Sequence, residues 1–418
     1  MKEVLYGLEK GGKIKVWEIE TAHNEVWSTI TVEYGEMGGK FTKQITYIDQ
    51  GKQGRTIPEQ ADKEAQGKIK KQLDKNYRRT IAELSDLPLL PMLAMDYREH
   101  GHRIDYAAGV FVSDKLDGLR LVAQCVPSHR DIGKAIKLKS RTGQPYSIPH
   151  IEAELLQVMQ VGEVFDGEAY LHGEVLQDIT SAVKRTDTQA KIDEVKKQIE
   201  KHGPDYRKKS KKDGVLSPTL DEELENAELI QRIRPQLRFV IFDVPGEKVW
   251  DDRCDDLLSL SDELDRRDYL HALEVIRYKI IYSEEQMREL HKDAVNRGYE
   301  GVMLRNRKGL YESGKRSADL QKYKEFLDAE FLVTDYALDK EGQLVFVCRN
   351  DLNSNLFSVI FGSEAEKAAM LAVVDSYLQQ YLKVKFQSRY KKTLLPQFPT
   401  GVMFRAGSYV SGEFVPDE

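Results

Sequence analysis

The 418-residue chain is too long for one ordinary domain, and its 40% hydrophobic content is enough for two or three separate cores. A formal net charge of -6 excludes a uniformly basic nucleic-acid binder and leaves phosphate binding to local patches. Cys125, Cys254 and Cys348 lie far apart with no Cys-x-x-Cys pair, which excludes a disulfide framework and a zinc finger.

The first residues, Met1-Lys2-Glu3-Val4, show no apolar leader and no run approaches membrane-spanning length, so an intracellular, cytoplasmic protein without membrane contact is expected. Residues 1–85 read as a small β-rich domain. Ile14–Ile19 and Trp27–Tyr34 alternate like strands, with turns at Gly11-Gly12 and Gly38-Gly39. Pro58 then opens a helix running to about Lys75, rich in lysine and continuing into Arg78-Arg79. Pro88–Leu93 is a linker. Residues 86–327 alternate strands and helices: Ser147-Ile148-Pro149 starts a helix carrying Leu155 and Leu156, and Ser283 with Gln286 spells a capping box for a helix ending near Gly298. Within this domain 187–230 is dense in Lys, Glu and Asp, contains the basic run Arg207–Lys212, and reads as an exposed helical insertion or partly mobile loop. Residues 328–418 turn β-rich again around one helix, about Glu364 to Tyr381, and fit a small OB-type barrel. The fold class expected is α+β.

The chemistry concentrates in short polar clusters set inside apolar, strand-like runs. Phe111–Lys115 ends in a lysine, followed by Asp117-Gly118 and Arg120. A lysine is a nucleophile only as the free amine, the Asp-Gly pair suggests a tight turn that aims it, and an arginine fork suits phosphate or ribose oxygens. Asp166 and Glu168, two apart in a strand-like run, share one face. Glu300 opens an apolar strand, Phe242 sits in Val240–Val244, and Lys322 and Lys324 also repeat with period two. Ser140-Arg141-Thr142-Gly143 adds a second arginine. Taken singly, Glu300 is a surface charge, Phe242 is core, the lysines are a solvated strand face, and Asp166-Gly167 and the Arg141 segment are turns. Their occurrence together, in this order, in one domain is what the single readings leave unexplained.

That order resembles the ATP-dependent DNA ligases, within the covalent nucleotidyltransferases that include RNA ligases and capping enzymes, and most of all the compact phage and viral members. The resemblance covers roughly residues 90–418. It implies an adenylyltransferase core of the nucleotidyltransferase, ATP-grasp-like kind, with a C-terminal OB-fold barrel. It makes Lys115 the adenylylated nucleophile. Arg120 and Arg141 would meet ribose or phosphate, or later the nick 5′-phosphate, and Asp117 would belong to the same nucleotide-binding set. Glu168 would hold the ribose or a metal, Phe242 would stack on adenine, Glu300 would bind a divalent ion, and Lys322 and Lys324 would contact the α-phosphate. Two positions depart from the family pattern. Ser113 stands where members often have glutamate, and the final Arg-x-Asp-Lys motif is absent in that form, with Arg405 in Gly401–Arg405 as its nearest candidate for orienting pyrophosphate.

The N-terminal domain, with Trp17, Tyr34–Gly39 and the basic helix, is similar to WGR domains, which implies an additional DNA contact. The implied activity is the sealing of nicked duplex DNA by a monomer, using ATP and Mg²⁺ or Mn²⁺, with a hinge near Leu327-Asp328-Ala329. An RNA ligase, a capping-type guanylyltransferase or a non-catalytic DNA-binding homologue are the rivals, and an NAD-dependent enzyme is disfavoured because the cysteines cannot build a zinc module.

Overall fold

The computed structural model describes the chain except for residues 9–11, 25, 53, 87–88, 129–132, 208–216, 340–341, 391–392, 411–412 and 417–418. Most of the Arg207–Lys212 run and part of the Gly11-Gly12 turn therefore lie outside the described residues. The chain divides into two compact units, Met1–Lys322 and Tyr323–Glu418.

The first unit begins with an antiparallel sheet, β1 (Lys2–Leu8), β2 (Ile14–His23), β3 (Ser28–Glu36) and β4 (Phe41–Ile48), in sequential order. Helix α1 (Ile57–Leu73) covers one face. Thr56 caps it, Glu59 reaches back to complete the capping box, and Pro58 stands in its first turn. Ala61, Ala65 and Ile69 recur every fourth residue and pack on Leu5, Trp17, Ile19, Ile30 and Val32.

The larger part of this unit is built on two sheets. Its elements are β5 (Leu93–Asp96), α2 (Tyr97–His100), β6 (Val110–Lys115), β7 (Leu119–Pro127), β8 (Lys134–Ser140), β9 (Pro145–Tyr146), α3 (Pro149–Val158) and β10 (Val164–Tyr170). They continue with α4 (Leu176–Lys184), α5 (Thr188–His202), α6 (Leu220–Ile233), β11 (Arg238–Asp243), α7 (Trp250–Arg266), β12 (Leu273–Val275), β13 (Lys279–Ile281), α8 (Glu284–Asn296), β14 (Gly301–Asn306) and β15 (Arg316–Tyr323). One sheet runs β12-β11-β10-β7-β8-β9 and the other β13-β6-β14-β15-β5. The core places Leu121, Ala123, Leu138, Phe239 and Ile241 of the first sheet against Ile151 and Leu155 of α3, Ile179 and Val183 of α4, and Leu257 of α7. The opposite face of those strands, by the period of two, carries Arg120, Glu168 and Val240. Cys125 and Cys254 are buried free thiols.

Two expectations change here. The described residues of 187–230 form two helices, α5 and α6, as the helical alternative expected, but one face of each is buried rather than exposed. Ile192 and Val195 on one, and Leu220, Ala227, Ile230 and Ile233 on the other, are buried, and Ile230 and Ile233 join the main core. A narrow apolar stripe was enough, although the composition is overwhelmingly charged. Ser283 does cap α8 by accepting from the Gln286 N–H, but the Gln286 side chain accepts from Tyr282 N–H, so the reciprocal half of the box is absent.

The second unit has β16 (Leu327–Leu338), β17 (Leu344–Arg349), β18 (Leu356–Val359), α9 (Glu364–Leu371), β19 (Tyr381–Phe386) and β20 (Thr400–Arg405), followed by the hairpin β21 (Gly407–Val410) and β22 (Glu413–Pro416). Five strands form one sheet in the order β18-β17-β16-β19-β20, and a single parallel bridge, Ile360 to Thr400, links its two edges. Phe331, Phe346, Phe357 and Phe386 fill its core. Helix α9 ends at Leu371, ten residues short of the expected limit; a 3₁₀ turn over Val374–Tyr377 follows, and Gln379 takes a positive φ of 66° before β19 begins. Leu327-Asp328-Ala329 are not a hinge loop but ladder-paired residues of β16, opposite Phe386, Lys385 and Val384. Between β15 and β16 the residues without regular structure are Lys324–Phe326.

Candidate active site

Lys115 is the last residue of β6 and is register-paired with Gly301 of β14, so the next residue back, Glu300, donates its N–H to the Lys115 carbonyl at 3.0 Å. This places the Glu300 carboxylate against the Lys115 ammonium in a direct ion pair in which the side chains are only 19% and 10% exposed. The ladder therefore couples two predicted site residues that lie 185 positions apart. Ser113, buried on the same strand, faces Met303 in the next register.

Past Lys115 the backbone passes close to β10. Gly118 donates its N–H to Glu168 Oε2 at 3.1 Å, and a Cβ at this position would lie 2.7 Å from the Ala169 carbonyl oxygen. Gly118 has no positive φ, so glycine is required by the closeness of β10 rather than by a left-handed turn. Gly167 is a second such point: its Cβ would stand 2.3 Å from the Val240 carbonyl oxygen. Both Asp-Gly pairs read as turns from the sequence are thus places where strands come too near for a side chain.

Glu168 is surrounded by protein on most sides but keeps part of its surface accessible. Burial pushes its carboxyl up to about 7, against the opposing pull of Lys115, Arg120 and the Gly118 N–H. Arg120 lies opposite Glu168 on β7 and grips Asp166 bidentately, Nε to Oδ1 at 2.6 Å and Nη2 to Oδ2 at 2.5 Å. It also donates to the Met92 carbonyl at 3.1 Å, while the Tyr311 hydroxyl donates to Asp166 Oδ2 at 2.6 Å. The guanidinium sits 4.6 Å from the centroid of the Phe242 ring. Phe242 reaches that position through a β-bulge: Gly167 opposes Ile241 and Asp166 opposes Asp243, leaving Phe242 as the extra residue of β11.

Behind Phe242 is a buried charge cluster. Asp243, fully buried, accepts from Arg253 Nε at 2.7 Å and from Arg305 Nη1 at 2.5 Å. Tyr278 donates to the Phe242 carbonyl at 2.8 Å, and Trp250 lies beneath both guanidiniums. A cleft of about 500 Å³ opens beside Leu116, bounded by Tyr170, Val240, Ile276 and Tyr299.

The structure thus brings together Lys115, Glu168, Arg120, Phe242 and Glu300. Asp117 follows the lysine, half-buried, and its charge acts on Tyr170. Arg141 stands exposed on the turn between β8 and β9, outside this hydrogen-bond network. Lys322 is near the end of β15, in register with Asp96 of β5. Lys324 and Arg405 belong to the second unit, where Lys324 donates to Gln387 at 2.6 Å and Arg405 pairs with Glu330 at 2.9 Å. Sequence reasoning missed the partners: Asp166 was visible as half of a carboxylate pair, but Tyr311, Arg253 and Arg305 carry no local signal. No group of three or more metal-ligating side chains occurs among the described residues, so a divalent ion here has at most two carboxylates, Glu168 and Glu300. That donor set fits Mg²⁺, which commonly takes one or two carboxylates plus substrate phosphates.

Residues 91–324, more than half of the chain, match the family model described as the ATP dependent DNA ligase domain. The chain belongs to the ATP-dependent DNA ligase family. Among curated ligases, that of African swine fever virus (isolate Warthog/Namibia/Wart80/1980) is 36% identical over 87 residues, 19% of this chain and 20% of that protein. The ligase of Enterobacteria phage T4 is 23% identical over 256 residues, 58% of this chain and 50% of that one. The chain thus spans between a fifth and a half of the length of these relatives. Its fold is like that of a Lig E DNA ligase, at a TM-score of 0.53 and 21% identity, covering 76% of this chain and all of the other. It is also like that of a structure titled Pmar-Lig_Pre, at 0.56 and 18%, covering 84% and 72%. No helix among the described residues of this ligase-family chain is long and apolar enough to cross a membrane.

Proposed function

We propose that this protein seals nicks in duplex DNA with ATP through a lysyl-AMP intermediate. The observation that carries the reading is the convergence of Lys115, Glu168, Arg120, Phe242 and Glu300 inside the segment that matches the ligase family. Lys115 Nζ attacks the α-phosphorus of ATP, and pyrophosphate leaves. The 5′-phosphate oxygen at the nick then takes the AMP from Lys115, and the 3′-hydroxyl finally displaces AMP to form the phosphodiester.

Each residue has a role compatible with its surroundings. Glu300 holds the Lys115 amine as an ion pair before ATP arrives, so moving that carboxylate onto a cation would free the amine for attack. Glu168 and Glu300 would hold Mg²⁺ or Mn²⁺, which supplies charge neutralisation at the phosphates. Phe242 offers a ring to the adenine once Arg120 swings from its face toward ribose or phosphate. Asp117, Arg141, Lys322 and Lys324 complete the nucleotide and 5′-phosphate contacts by resemblance, and Arg405 is the candidate for pyrophosphate.

The domain reading follows the same logic: 1–85 as a WGR-like DNA-contacting domain, 86–327 as the adenylylation domain, and 328–418 as an OB fold. The five-stranded sheet with bridged edges supports the last. The protein would act as a monomer in the cytoplasm, opening and closing at Lys324–Phe326. The test is incubation with ATP or GTP and a nicked duplex. Sealing with ATP is expected, whereas labelling by GTP alone contradicts the reading.

A further inference from the structure

The geometry points to one continuous cationic track, running from the exposed face of α1 through Arg78 to Lys139 and Lys137 of β8, as the surface that holds the phosphate backbone of duplex DNA. It rests on the ligase reading and specifies where the duplex lies. Three independent observations define it.

The first is the sheet. Val122 is register-paired with Lys139 and Gln124 with Lys137, while Asp166 pairs with Val122 and Glu168 with Arg120. Because side chains alternate along strands, Lys137 and Lys139 project from the same sheet face as Arg120 and Glu168. Leu138, between them, points into the core on the other side. The track therefore shares a surface with the nucleophile's neighbours rather than lying behind them.

The second is how α1 is tied to that face. Asn76 donates to the Thr142 carbonyl at 3.3 Å and Gln144 donates to the Asp74 carbonyl at 3.5 Å, joining the end of α1 to the turn after β8. Arg78 is fixed by paired backbone bonds to Tyr6 at 2.7 and 2.8 Å. Burial first, then the charges of Lys137 and Arg78, hold the Lys139 ammonium below the ordinary lysine range. Among the described residues no carboxylate forms an ion pair with Lys70, Lys71, Lys75, Arg78, Lys137 or Lys139. By contrast Lys2, Lys13, Lys43 and Lys248 are each paired with a glutamate or aspartate. Unpaired like charges gathered in one place oppose folding, and a polyanion relieves them.

The third is Gly67. It lies in the middle of α1, among the exposed Lys63, Gln66, Lys70 and Lys71, and a Cβ there would meet nothing within 4 Å. Its φ is helical and no packing demands glycine, although glycine weakens a helix interior. A close external backbone is the remaining use for a missing side chain at the centre of a lysine stripe.

The experiment measures binding of the full-length protein to a nicked duplex over a series of salt concentrations. Each phosphate contact contributes about 0.9 to the slope of log K against log salt, so replacing Lys70, Lys71, Lys137 and Lys139 together with alanine should lower it by about 3 to 4. Replacing the paired Lys2, Lys13, Lys43 and Lys248 should leave it nearly unchanged, and both proteins should self-adenylylate with ATP at the wild-type rate. Gly67→Gln should raise the melting temperature yet weaken DNA binding several-fold, opposite directions that a purely structural glycine would not give. Equal slopes in the two quadruple variants, with wild type binding and sealing normally, would overturn the track alone. Wild-type protein that neither binds the duplex nor labels with ATP would overturn the ligase reading and the track with it.

Discussion

Replacing Glu168 with glutamine should stabilise the protein at neutral pH while removing its activity. The Glu168 carboxyl is raised to about 7 from an ordinary 4.5, chiefly by burial. Carried through linkage, that difference is roughly 3 kcal/mol of lost stability once both folded and unfolded forms are ionised. The residue is only partly buried, and water at its accessible surface reduces the figure to about 1–2 kcal/mol. The sign follows from the raised value: the fold prefers the protonated acid, so the penalty is absent at low pH, grows between about 4.5 and 7, and is complete above 7. Glutamine keeps an oxygen for the Gly118 N–H and never ionises, and Lys115 and Arg120 retain Glu300 and Asp166 as partners. Urea unfolding followed by tryptophan fluorescence reads the first unit, since Trp17, Trp27 and Trp250 all lie in it. The advantage of Glu168→Gln over wild type should widen from pH 5 to pH 8. A constant gap, or one that narrows as pH rises, refutes the placement of this carboxylate.

Asp243→Asn leaves Arg253 and Arg305 buried without a counter-charge and should cost about 3–5 kcal/mol of first-unit stability in the same unfolding assay. A loss under about 1 kcal/mol would show that the cluster is not needed to hold Phe242. Gly167→Ala forces a methyl against the Val240 carbonyl and should cost about 1–3 kcal/mol, with ATP labelling reduced because Glu168 is its neighbour in β10. Normal stability and labelling in that variant would rule out the close approach as the reason for glycine.

Much of this arrangement was legible because strands report their faces in a period of two. Glu168 and the Asp166 carboxylate could be placed on one strand face from local pattern, and Trp17, Ile19, Ile30 and Val32 marked the small N-terminal sheet. What could not be read were contacts set by long-range register. Tyr311 reaches Asp166 across 145 positions, and Arg305 reaches Asp243 across 62, with nothing nearby in sequence to link them. The role of Gly118 and Gly167 was also hidden, since an Asp-Gly pair suits both a turn and a tight strand crossing, and only the neighbouring backbone decides. The helical character of 187–230 was one of the readings its sequence allowed, but its charged composition concealed the buried faces of α5 and α6, because a few well-spaced apolar residues suffice to dock a helix. Helix α9 was overextended for the opposite reason: the residues after Leu371 remain apolar enough to suggest helix, but the backbone turns at Val374 and Gln379 toward β19.

The most direct test of the account is to incubate the protein with ATP and Mg²⁺, digest it, and locate any covalent AMP by mass spectrometry, with Lys115→Ala in parallel. A single phosphoramidate adduct on Lys115, absent together with nick sealing in Lys115→Ala, is the predicted result. AMP on another residue, or nick sealing that survives Lys115→Ala, would contradict it.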